Sequence, residues 1–116
     1  MKTEDWKEKL LERDFEERYR ELNSPYQDAV RECYDEVFSA LKQTEKPQPN
    51  AEDLYSELEN PNRARAFFGK ASVALANIGI LELWDEEVRN SNYRFQMSEM
   101  DTEYLEEAEQ EVEKLL

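Results

Sequence analysis

Along this chain apolar side chains return every three or four residues, change once to every second residue, and then resume the helical spacing. Residues 5–22 place Trp6, Leu10, Phe15, Tyr19 and Leu22 on one side of a helix and Glu8, Glu12, Glu16 and Arg20 elsewhere, so this helix can bury only a stripe. Ser24 followed by Pro25 is a start signal, because a serine oxygen accepts from free amides and proline fits the first helical position. The helix that follows runs to about Gln43 and turns Tyr26, Ala29, Val30, Cys33, Tyr34, Val37, Phe38 and Leu41 to one face. That face is the widest apolar one in the chain, which places this helix at the centre of the core.

Thr44 to Pro49 holds two prolines among polar residues and reads as a loop. Asn50, with Asp53 three positions on, is the pattern of a helix cap and opens a short helix with Leu54, Tyr55 and Leu58 inward. Glu59, Asn60, Pro61 and Asn62 break it. Over 62–78, Ala64, Phe67, Phe68, Ala71, Leu75 and Ile78 recur at helical spacing, and Gly79 stands where a helix ends in a left-handed residue. The pattern then changes. Ile80, Leu81, Leu83 and Trp84 are strand-forming, Tyr93, Arg94, Phe95, Gln96 and Met97 alternate with period two, and the polar stretch 85–92 between them has the composition of a hairpin tip. Ser98 and Asp101 then open a last helix with Tyr104, Leu105, Ala108, Val112 and Leu115 on one face. With 116 residues the chain is sized for one domain over 1–116, mainly α with a small β-hairpin.

Helix, short helix, turn, longer helix ending in a glycine, then hairpin: over residues 25–97 this order resembles the winged helix-turn-helix superfamily of DNA-binding regulators, with an added helix in 1–24 and another in 98–116. The run Ala74-Leu75-Ala76-Asn77-Ile78-Gly79-Ile80-Leu81, followed by Tyr93-Arg94-Phe95, looks like that superfamily's passage from recognition helix through a glycine into the wing. The resemblance implies a transcriptional regulator whose helix 62–78 enters the major groove of double-stranded DNA and whose hairpin 80–97 reaches the backbone or minor groove. It also implies a homodimer, because flanking helices often build the interface in this superfamily. Trp6, Leu10, Phe15 and Tyr19 at one end and Tyr104, Leu105, Ala108, Val112 and Leu115 at the other would then pair two recognition helices on a symmetric site. The alternative, that these two stripes pack on each other within one chain, stays open.

Charge bears on this reading in two ways. Fifteen basic against 29 acidic residues give a net charge of −14, which on average repels polyanions. Such acidity is also typical of proteins adapted to high salt, an expectation that the seven lysines weaken. Yet Asn60 to Leu81 and Val88 to Ser98 contain no acidic residue, and both stretches fall on the elements a winged helix presents to DNA. A gap as long as the first arises in roughly one chain in twenty of this composition. Arg63, Arg65 and Lys70 are therefore candidates for phosphate or guanine contact, with Asn62, Ser72 and Asn77 as further polar candidates on the helix and Arg89, Asn90, Ser91, Asn92 and Arg94 on the wing. A competing reading needs no DNA. A helix packed on several sides carries few acids in any case, and Arg63 and Arg65 can pair with surplus carboxylates nearby.

The residue inventory argues against an enzyme. The chain has no histidine for general-base or zinc chemistry and only Gly69 and Gly79 to build a phosphate-cradling loop, so neither a cofactor nor a metal is expected. Cys33 lies on the apolar face of its helix and reads as a small buried thiol rather than a nucleophile. A single cysteine, no basic start before an apolar run and no apolar stretch near the ~20 residues of a membrane span point to a cytoplasmic protein. The rival to a DNA-binding regulator is a protein-interaction module whose acidic surface mimics nucleic acid or docks on a basic partner, as would suit a viral inhibitor or an assembly factor. Duplex DNA and a protein are thus the two partner classes in contention.

Overall fold

A computed structural model describes residues 15–81 and 94–116 of the chain. Its helices are α1 (Phe15–Glu21), α2 (Ser24–Gln43), α3 (Ala51–Ser56), α4 (Arg65–Asn77) and α5 (Thr102–Leu115), with a single 3-10 turn at Met97–Glu99. The long helix α2 is central, as its apolar face requires. It packs most extensively on α4 and also touches α3 and α5, while α4 rests on α3 and α5 on α1. Ala29, Val30, Cys33, Val37, Phe38, Ala40 and Leu41 of α2 are all buried. Val30, Val37, Phe38 and Leu41 each contribute about 1.5–3 kcal/mol when fully withdrawn from water.

The helix ends follow local chemistry closely. Asn23 is the residue that precedes α2, with Pro25 in the first turn, so the start lies one residue earlier than Ser24 suggests. The side chain of Asn23 makes no cap bond, but its carbonyl accepts from Tyr26 and Gln27. The Gln27 side-chain Nε2 donates to the carbonyls of Tyr19 (2.9 Å) and Arg20 (3.3 Å), satisfying acceptors that α1 leaves open at its end. At α3 the Asn50 side-chain Oδ1 accepts from the Asp53 backbone amide (2.8 Å) and an Asp53 carboxylate oxygen accepts from the Asn50 backbone amide (3.1 Å), a complete capping box. Bonding to Lys46 and to that amide holds the Asp53 carboxyl below its ordinary value. Asp101 caps α5 through the Tyr104 amide at 2.8 Å.

The winged-helix expectation fails beyond α4. Gly79, at φ 89°, donates to Ala76 (3.0 Å), and Ile80 donates to Leu75 (3.2 Å), the paired bonds of a Schellman cap. Ile80 and Leu81 therefore close the end of α4 and turn into the core, 0% and 2% exposed, instead of beginning a strand. Among the described residues there is no strand, only an isolated antiparallel bridge between Asn50 and Arg94. Of the period-two stretch, residues 94–96 run extended with Phe95 buried before the 3-10 turn begins at Met97, and their partner is the loop before α3: Phe95 donates to the Pro49 carbonyl (2.9 Å) and Met97 to the Pro47 carbonyl (3.1 Å). Prolines lack an N–H, so this loop offers acceptors and takes up a neighbouring strand's donors. The hairpin tip at 85–92 lies outside the described residues. The fold class is thus corrected from a winged helix-turn-helix to a helical assembly in which the chain after 93 straps across the loop 47–50.

The proposed dimer surface is also reassigned. Phe15, Tyr19, Tyr104, Leu105, Ala108 and Val112 belong to the single core of one chain, and Leu115 packs against it half-buried. The Tyr104 hydroxyl donates to the Ile80 carbonyl, tying α5 to the end of α4. Within one chain α1 and α5 meet, which is the alternative the sequence left open. Trp6 and Leu10 lie outside the described residues.

Cys33 is fully buried in the middle of α2, and burial, reinforced by Glu36, pushes its thiol up from 9.0 to about 11. The folded thiol holds its proton more tightly than the unfolded one. Its contribution to stability is therefore complete below pH 9 and is lost as the pH rises from the unfolded value towards 11, by up to about 2–3 kcal/mol. Urea melts of the wild type and of Cys33→Ala from about pH 8 to about pH 11 should show the wild type losing this margin relative to the variant. A difference between the two proteins that stays flat over that range would contradict the assignment.

Candidate functional site

The candidate DNA-contact residues of the first acid-free stretch sit where α4 begins, and carboxylates from α2 and α3 surround them. Two helical turns of α2 bring Glu32 and Glu36 to the segment ahead of α4. The Arg63 guanidinium stands 3.6 Å from Glu32 and donates to the Asn62 carbonyl at 3.1 Å. The Asn62 amide donates to Glu36 at 3.0 Å, and the Tyr55 hydroxyl donates to the Arg63 carbonyl at 2.8 Å. Arg65 pairs with Glu52 of α3 at 3.2 Å and lies 5.8 Å above the Tyr55 ring, which meets Phe68 edge-on at 5.3 Å. Each of the two guanidinium groups thus has a carboxylate partner, Glu32 or Glu52, and Glu36 accepts from the backbone just ahead of them. The pairs are exposed, so each contributes only about 0–1 kcal/mol to stability. Their electrostatic consequence is larger: a phosphate approaching either arginine also meets an anion a few ångströms away.

Among the described residues, no hydrogen bond or ion pair joins the remaining candidates to Arg63 or Arg65. Ser72 is fully buried and donates to the Phe68 carbonyl one turn back at 3.1 Å, so it is removed from the contact set. Lys70 and Asn77 are exposed on the outer side of α4, and no ion pair engages Lys70 among the described residues. Arg94 is exposed but turns to the Gln48 carbonyl at 3.0 Å, holding the strap to the loop. Arg89, Asn90, Ser91 and Asn92 lie outside the described residues. Helix α4 itself does not protrude. Phe68, Ala71, Ser72, Ala74, Leu75 and Ala76 are buried, and besides Arg65 at its start only a narrow stripe through Ala66, Lys70 and Asn77 is exposed.

The opposite electrostatic character gathers on α5. Glu103, Glu106 and Glu107 are exposed and enter no ion pair among the described residues. Two cations serve this region, Lys42 on Glu109 at 2.7 Å and Lys114 on Glu111 at 3.4 Å. Half-buried Tyr34 of α2 donates to Glu113 at 3.5 Å. Burial raises its phenol above the ordinary value, and the negative field of Glu113, Asp35 and Glu109 adds to the effect. The sequence shows these acids as solvated helix faces. What it does not show is that Glu109 and Glu113 of α5 come to lie beside Tyr34 and Asp35 of α2, because that depends on how α5 docks.

Among the described residues no cluster of His, Cys, Asp and Glu has the arrangement of a metal site, and no helix is long and apolar enough to cross a membrane. The fold and surface define a small helical protein with internally paired arginines and an acidic flank. No family model, curated protein or solved structure matches the chain.

Proposed function

We propose that this protein is an acidic interaction module that docks on a basic protein partner and does not bind DNA. The observation that supports this reading is the pairing of Arg63 with Glu32 and of Arg65 with Glu52, beside an α5 flank where Glu103, Glu106 and Glu107 lack cations among the described residues. Two of the cations that a DNA reading needs, Arg63 and Arg65, are paired with carboxylates within the fold, which leaves Lys70, among the described residues, as the unpaired cation of that helix against three unpaired carboxylates on α5. In such a module long-range attraction steers a basic partner to the flank and raises the association rate, while like charge rejects nucleic acid.

Titration of the purified protein with a lysine- and arginine-rich peptide and, separately, with random-sequence duplex DNA distinguishes the two partner classes. The expected result is binding of the peptide that weakens as salt is added, and no binding of the duplex at about 50 mM salt. Duplex binding that falls steeply with salt and is lost when Arg63, Arg65 and Lys70 are replaced by alanine would overturn the proposal.

A further inference from the structure

We draw no further inference here: the strongest candidate, the outward stripe of α4 through Ala66, Gly69, Lys70 and Val73, is an unpartnered face of small residues, and nothing in the structure shows what covers it.

Discussion

Replacing Phe95 by alanine should destabilise the protein by about 3–5 kcal/mol, a large part of the ~5–15 kcal/mol that holds a domain of this size together. Phe95 is fully buried, yet it is carried by a segment with few backbone bonds of its own: its amide reaches the Pro49 carbonyl, and Met97 reaches Pro47. The ring is therefore what anchors the strap to the core, and its removal leaves both a cavity and a loosened segment. Equilibrium urea unfolding of Phe95→Ala against wild type measures the loss. A change below about 1 kcal/mol would mean that the segment 94–97 lies on the surface and that the strap is misassigned.

The second large effect concerns α5. Leu105, 2% exposed, sits in the core shared by α2 and α4, so Leu105→Ala should cost about 2–5 kcal/mol. The size of the loss alone does not separate a docked helix from a dimer interface; its concentration dependence does. A helix seated within one chain gives an unfolding midpoint that is the same over a hundredfold range of protein concentration, for wild type and variant alike. A subunit interface raises the midpoint with concentration by mass action. A wild-type midpoint that rises, with Leu105→Ala abolishing the rise, would return this stripe to the dimer role.

The local elements of this fold are legible in sequence because their causes are local. The spacing of Val30, Cys33, Val37 and Leu41 defines the buried face of α2, the Asn50 and Asp53 pair forms the capping box it implies, and Gly79 adopts the positive φ that ends α4. The same logic misleads just past Gly79. Ile80 and Leu81 are strand-formers by type, but the two bonds to Leu75 and the burial of both side chains serve the helix cap instead. At 94–96 the backbone is extended but forms no strand and gives way to a turn at Met97, and the choice of partner is a long-range matter: Pro47 and Pro49 read as loop breakers, and their value as acceptors emerges only when the chain returns to them.

The candidate site was legible only as an absence of acids. From Asn60 to Leu81 no carboxylate occurs, and that much is correct. The acids that answer Arg63 and Arg65 come from other helices, Glu32 on α2 and Glu52 on α3, so the gap in sequence is filled in space. A helix with few acids is here a helix packed on several sides. Packing on that helix also buries Ser72, whose hydroxyl is satisfied within the helix by the Phe68 carbonyl one turn back.

The central claim is that the α5 flank, and not net charge alone, receives a basic partner. It is tested most directly by comparing two triple charge reversals of equal net effect, Glu103, Glu106 and Glu107 to lysine on α5, and Glu45, Glu57 and Glu59 to lysine around α3. Peptide affinity should fall at least about tenfold for the α5 variant and by much less for the other, a separation of about 1.4 kcal/mol. Equal losses from the two variants would show that the attraction is diffuse and that α5 presents no docking surface.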